Sequence, residues 1–174
     1  MGAVDKRLML EQLMNDYGDQ LTRLAYSYVK DTEIAKDLVQ NTFVKCFLNI
    51  DTFKHNSTIK TWLYRITINE CKDYIKSWDY KKVKVLDIFQ SHTKKSQSAE
   101  EIVMDKTERK EIQNSIFRLP MKYREIIFLY YFEEMTMEEI SSLTELSINT
   151  IKTRLRRGKM LLKQKLERRG IYEQ

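Results

Sequence analysis

The stretch "TMEEISSLTELSINTIKTRLRR", Thr136–Arg157, decides the fold of the C-terminal part of the chain. Thr136 followed three residues later by Glu139 has the spacing of a capping box: the hydroxyl accepts from the Glu139 amide, and the carboxylate reaches back to the Thr136 amide. Ile140 and Leu143 give the short helix that follows its apolar side. After "TEL", Ser147 is the next N-cap. Ile148, Ile151, Leu155 and Leu162 then share one face of a second helix. Two capped helices joined by about three or four residues form a helix-turn-helix, whose second helix is the one that enters a major groove.

The remaining side chains of that second helix fall into place at about 100° per residue. With the Ile148/Ile151/Leu155 stripe buried, Asn149, Lys152, Thr153, Arg156 and Arg157 project outward and Arg154 lies on the shoulder. This is a set fit for groove reading. Arginine can donate two hydrogen bonds to a guanine edge, asparagine can pair with adenine, and threonine or lysine serves bases or phosphates. Lys159, Lys163, Lys165, Arg168 and Arg169 continue the charge along the DNA backbone. The competing reading of a basic helix is a solvated face. The cap, turn and second cap immediately upstream weigh against it.

Working outward, the charge is polarised. Residues 1–85 carry 14 basic and 11 acidic groups, residues 86–148 carry 8 and 12, and residues 149–174 carry 9 and 2, within a net charge of +6. A basic end behind an acidic segment points to a polyanionic partner at that end. Four glycines and one proline in 174 residues leave few tight turns, which favours an all-α chain. No run of 18 apolar residues is present, so no membrane span is expected. The N-terminal "MGAVDKRLMLEQLMNDYG" has acids inside its apolar region and no small-residue cleavage site, unlike a signal peptide. Lys6 stands where a myristoylation signal needs Ser or Thr. Cys46 and Cys71 read as reduced, buried thiols of a cytoplasmic protein.

Apolar periodicity organises the rest. Leu10, Leu13, Met14, Tyr17, Leu21, Leu24, Ala25 and Tyr28 predict one or two helices ending near Lys30. Asp31 and Thr32 are N-cap types for a helix over about 33–49. Its broad apolar face holds Ile34, Leu38, Val39, Thr42, Phe43, Cys46 and Phe47, with Lys36, Asp37, Gln40, Asn41 and Val44 opposite. "IDTFKHNST" is a turn. The next helix starts near Ile59, with Ile59, Trp62, Leu63, Ile66, Tyr74 and Ile75 expected inside and Lys60, Arg65, Lys72 and Lys76 outside. "QSHTKKSQSAE", 90–100, reads as a flexible linker. Helical pattern resumes at Ile102 and Val103 and runs through Ile112, Ile116, Phe117 and Leu119. Pro120 opens a further helix with Tyr123, Ile126, Ile127, Tyr130 and Tyr131 inward.

These stretches together carry a family resemblance. "LPMKYREIIFLYYFEEMTMEEISSLTELSINTIKTRLRRGKMLL", Leu119–Leu162, resembles the C-terminal domain of bacterial extracytoplasmic-function sigma factors of the sigma-70 superfamily. The shared features are Leu-Pro, Arg-Glu before an apolar helix, Glu-Ile in the first short helix and Thr-Ile-Lys-x-Arg-Leu opening the second. "EIAKDLVQNTFVKCF", Glu33–Phe47, resembles the family's polymerase-binding helix. "TFKHNSTIKTWLYRITINECKDYIK", Thr52–Lys76, resembles its promoter-melting segment.

The resemblance implies two small helical domains. Residues 1–85 would be of region 2 type, 86–106 the flexible linker, and 107–174 a region 4-type helix-turn-helix. It implies that Asp37, Gln40, Asn41 and Val44 contact the clamp helices of the polymerase β′ subunit. Phe53, Lys54, His55, Asn56 and Ser57 would hold a base flipped from the −10 element, consistent with aromatic stacking in basic single-strand grooves. Arg65, Asn69, Lys72 and Lys76 would read the upstream edge of that element, while Trp62 and Leu63 are expected in the core. Lys152, Thr153, Arg156 and Arg157, flanked by Asn149 and Lys159, would read the −35 element. Arg156 sits at a variable family position, so no −35 sequence transfers. Whether Arg154 braces Glu138 or Glu139 or contacts DNA stays open. The implied partners are core RNA polymerase (β′ clamp helices and β flap), promoter DNA and an anti-sigma factor that can be membrane-anchored.

The alternative is a stand-alone helix-turn-helix regulator with an N-terminal sensor. An enzyme is not expected. His55 and His92 are the only histidines, and no Cys/His ligand cluster, phosphate-binding glycine loop or nucleophile motif occurs. Neither cofactor nor metal is therefore implied.

Overall fold

The computed structural model describes residues 3–53, 57–88 and 108–168, with side chains at 5–51, 53, 57–77 and 112–168. The fold is all-α, and no strand occurs among the described residues. The chain divides into two compact units, Met1–Ala99 and Glu100–Gln174.

The first unit holds α1 (Ala3–Val29), α2 (Thr32–Asn49), one 3-10 turn (Ile50–Thr52) and α3 (Ile59–Ile88). The N-terminal periodicity forms one helix rather than two. Lys30, at φ +59°, reverses the chain, and the Asp31 carboxylate accepts from the Ile34 amide at 3.0 Å, satisfying an amide that the helix itself leaves open. Thr58 does the same for α3, accepting from Thr61 N at 3.1 Å. The three helices pack against one another. Their core is Leu21, Leu24, Ala25 and Tyr28 from α1, Ala35, Leu38, Val39, Phe43 and Cys46 from α2, and Leu63, Tyr64, Ile68 and Cys71 from α3. Each large member contributes about 1.5–3 kcal/mol by leaving water.

On α3 the buried face is rotated from the expected one. Leu63, Tyr64, Thr67, Ile68 and Cys71 are buried, while Ile59, Trp62, Ile66, Tyr74 and Ile75 are only half-buried. Arg65 and Lys72, expected outside, are half-buried as well. The reason is that polar atoms on this face find partners. Thr67 donates to Leu63 O at 3.0 Å, Thr42 donates to Leu38 O and lies 3.2 Å from the Thr67 hydroxyl, and Tyr64 Oη donates to Gln20 at 3.1 Å. A satisfied hydroxyl is cheap to bury. Ion pairs Lys6–Asp51 and Lys45–Glu70 tie α1 to the turn and α2 to α3. With no Gly or Pro to stop it, α3 continues through Ile88, beyond the expected boundary at 85. The rest of the expected linker, 89–106, including Ile102 and Val103, lies outside the described residues.

The second unit holds α4 (Glu108–Phe117), α5 (Met121–Tyr131), α6 (Met137–Thr144) and α7 (Ile148–Glu167). Pro120 is the N-cap of α5 rather than its first helical residue. Six consecutive residues of α5, Arg124 to Leu129, are buried, whereas Tyr131, expected inside, is 50% exposed, and Tyr123 and Tyr130 are half-buried. The helix packs against both α6 and α7, and the buried Arg124 is spent internally. Its Nη1 donates to Phe117 O at 2.8 Å and Leu119 O at 3.2 Å, closing the end of α4.

Candidate nucleic-acid interface

The helix-turn-helix forms as its caps require. Thr136 Oγ1 accepts from Glu139 N at 3.2 Å, and Glu139 Oε2 accepts from Thr136 N at 2.8 Å. Helix α6 ends on Glu145 in the left-handed region, φ +60°. Ser141 Oγ donates to Leu146 O at 2.7 Å across the turn. Ser147 Oγ then accepts from Thr150 N at 3.2 Å and opens α7. Ile140, Leu143, Ile151 and Leu155 are buried beneath.

Helix α7 runs unbroken past Gly158, which is buried against α5. A Cβ there would stand 2.8 Å from Ile127 Cδ1 and 3.3 Å from Tyr123 Cβ, so glycine permits the close approach that seats α7. Asn149, Lys152, Thr153, Arg156, Arg157 and Lys159 are all exposed. Arg154 is half-buried. It makes no ion pair with Glu138 or Glu139 among the described residues, because Glu139 is engaged by Thr136. Instead Arg154 lines a cavity of about 340 Å³ with Lys122, Tyr123, Asn149, Thr150, Thr153 and Arg157. Lys122 has no signal in the linear pattern, since α5 and α7 meet only in the fold.

In the first unit, Asp37, Gln40, Asn41 and Val44 form an exposed stripe on α2. Val44 is 57% exposed, and Leu48, one turn on and 69% exposed, extends it. Leu48 was missed, although its spacing from Val44 is visible in the sequence. Phe53 stacks on Trp62 with ring centroids 4.9 Å apart, so both are half-buried and Trp62 is not a core residue. Ser57 is half-buried, Asn69 and Lys76 are exposed, and Arg65 and Lys72 are half-buried on α3. Lys54, His55 and Asn56 lie outside the described residues, as does His92. Among the described residues no group of three or more His, Cys, Asp or Glu is placed to hold a metal, and no helix is long and apolar enough to cross a membrane.

A capped helix-turn-helix with a cationic reading helix, in a chain with a separate three-helix unit, defines a bipartite DNA-binding protein. The comparisons with known proteins narrow this. The Sigma-70 region 2 family matches residues 13–79 and the Sigma-70, region 4 family matches residues 109–162. The RNA polymerase sigma factor SigV of Bacillus subtilis is 30% identical over 165 residues, covering 95% of both chains. From the same organism, the sigma factor SigZ is 32% identical, covering 91% of this chain and 87% of its own. The ECF RNA polymerase sigma factor SigW is 29% identical, covering 88% and 87%. The fold is shared with the sigma factor RpoE in complex with the anti-sigma factor NepR from Bartonella quintana, at TM-score 0.71 and 24% identity over 90% of this chain and 96% of that one. It is also shared with CnrH in complex with the cytosolic domain of CnrY, at TM-score 0.66 and 22% identity over 92% and 89%. The chain belongs to the extracytoplasmic-function sigma factors of the sigma-70 family.

Proposed function

We propose that this sigma factor binds core RNA polymerase in the cytoplasm and directs it to promoters by dividing the work between its two units. The exposed reading face of α7, set on a fully capped helix-turn-helix, is the observation that carries this. Asn149, Lys152, Thr153, Arg156, Arg157 and Lys159 read the −35 duplex. Within the first unit, residues 1–85 bind polymerase and open and hold the −10 strand. On it the Asp37/Gln40/Asn41/Val44 stripe, extended by Leu48, docks on the β′ clamp helices. Residues 53–57 hold an unstacked base, and Arg65, Asn69, Lys72 and Lys76 guide the upstream edge. Duplex reading needs a helix in a groove, whereas an opened strand needs a separate surface. Linking the two, through 86–106, raises the effective concentration of each at the promoter. Within the second unit, residues 107–174 also meet the β flap. The protein has no catalytic chemistry of its own. An anti-sigma factor, membrane-anchored or free, covers the polymerase-binding surfaces to hold it inactive.

Reconstituted transcription with core polymerase over a genomic fragment library tests this and yields the promoter sequence. Run-off transcripts that require the protein are expected. Duplex binding without any polymerase-dependent transcript would instead identify a stand-alone regulator.

A further inference from the structure

The cavity between the start of α5 and the flank of α7 is lined by three cations, Lys122, Arg154 and Arg157, and by no carboxylate. Among the described residues none of the three forms an ion pair. Three like charges around one cavity repel unless an anion enters it. The polar groups beside them, Asn149, Thr150, Thr153 and Tyr123, can donate to oxygen acceptors. Neither α5 nor α7 places an acid in its first turn, so no first-turn carboxylate offsets the positive end of either helix. Lys122 Nζ lies 5.1 Å from the centroid of its neighbour's ring, Tyr123, which also lines the cavity.

The cavity's place on α7 says which anion it takes. At about 100° per residue, Thr150, Arg154 and Arg157 fall on one flank of the outward face, Lys152 and Lys159 on the other, with Asn149, Thr153 and Arg156 between them. We propose that this cleft seats a DNA backbone phosphate, with Lys122 and Arg154 gripping it from two helices and so fixing the register in which α7 meets the bases. The proposal rests on the assignment of α7 as the −35 reader. Lys122 is then a positioning residue: it carries no sequence information, but it holds the helix that does.

The test uses the full chain and a duplex bearing the −35 sequence recovered from the transcription experiment. Lys122→Gln, at an exposed position that leaves the fold alone, should lower the slope of log K against log salt by about one. Binding at 0.1 M salt should then weaken by about eightfold relative to a shared value near 1 M. The loss should be uniform across base-substituted duplexes, and Lys122→Arg should restore the slope. A methylphosphonate at one linkage should weaken the wild type more than it weakens Lys122→Gln, which keeps only the arginine side of the grip. An unchanged slope and methylphosphonate profile overturns the proposal alone, as does a change in base preference, which would make Lys122 a base reader. Binding of inorganic phosphate that depends on Lys122 but leaves duplex affinity unchanged at matched ionic strength also overturns it, by assigning the cleft to a free anion. If the wild type itself binds without salt dependence, the −35 assignment falls and takes the proposal with it.

Discussion

Arg156 is exposed on α7 and does not line the cleft, so in the proposed −35 reading its guanidinium is left for the bases. Arg156→Ala is expected to cost about 1–3 kcal/mol on the preferred duplex and to relax discrimination at one base pair. Competition binding against singly substituted duplexes measures both, and uniform weakening would move Arg156 to the phosphates. The thiols make a contrasting residue-scale case. Burial pushes Cys46 up to about 11. Burial first, then the Glu70 charge, pushes Cys71 up to about 12. The thiolate is the nucleophile, so both should be inert to a thiol-disulfide reagent at pH 8 and react once urea unfolds the chain. The sign for stability follows: an unfolded thiol ionises near 8.5, so the folded state holds its proton longer and loses stability as pH rises through that value toward 11–12. Urea midpoints measured at pH 8 and pH 10 should fall less for Cys71→Ala than for the wild type.

At the scale of the helix, two glycines with the same local conformation should answer oppositely to alanine. Gly18 sits inside α1, and a Cβ there meets nothing within 4 Å. Gly18→Ala should therefore stabilise by about 0.8–1 kcal/mol through helix propensity. Gly158→Ala would drive a methyl into Ile127, which is 2% exposed and has little room to yield, and should cost about 1–3 kcal/mol. Denaturant midpoints of the two variants decide it, and equal shifts would mean that α7 does not lean on α5 as described. The same packing explains what could be read from the sequence and what could not. Caps are local, so Asp31, Thr136 and Ser147 announced their helices correctly. The face of α2 was legible because it is amphipathic, with Leu38, Val39 and Phe43 inside and Asp37, Gln40 and Val44 outside. Helix α3 was misjudged because Tyr64 and Thr67 look like surface residues until their hydroxyl partners are known. Helix α5 was misjudged at Tyr131 because enclosure on most sides erases periodicity. The cleft was illegible for a simpler reason: Lys122 and Arg154 are 32 residues apart in sequence and share a wall only once α7 is seated by Gly158.

Across the whole molecule, the charge asymmetry matches a division of labour. In the proposed function the strongly basic segment carries the duplex reader, while the first unit, only mildly basic, would divide its surface between a polymerase and an opened strand. Its α2 stripe is suited to a protein rather than to DNA: Asp37 would repel phosphates, and Val44 and Leu48 together expose apolar side chains that water disfavours. Protein interfaces concentrate energy in a few such central residues. Asp37→Ala combined with Gln40→Ala removes polar contacts from an exposed helix face, where substitutions change stability by no more than about 0.5 kcal/mol. The circular dichroism and urea midpoint should therefore be unchanged. Co-purification with core polymerase should fall, and the run-off transcript with it, while the salt slope for the −35 duplex stays at the wild-type value because the second unit is untouched. Undiminished co-purification would place the polymerase-binding surface elsewhere on the first unit. A lowered salt slope would instead mean that α2 meets DNA, against the sign of its own charge.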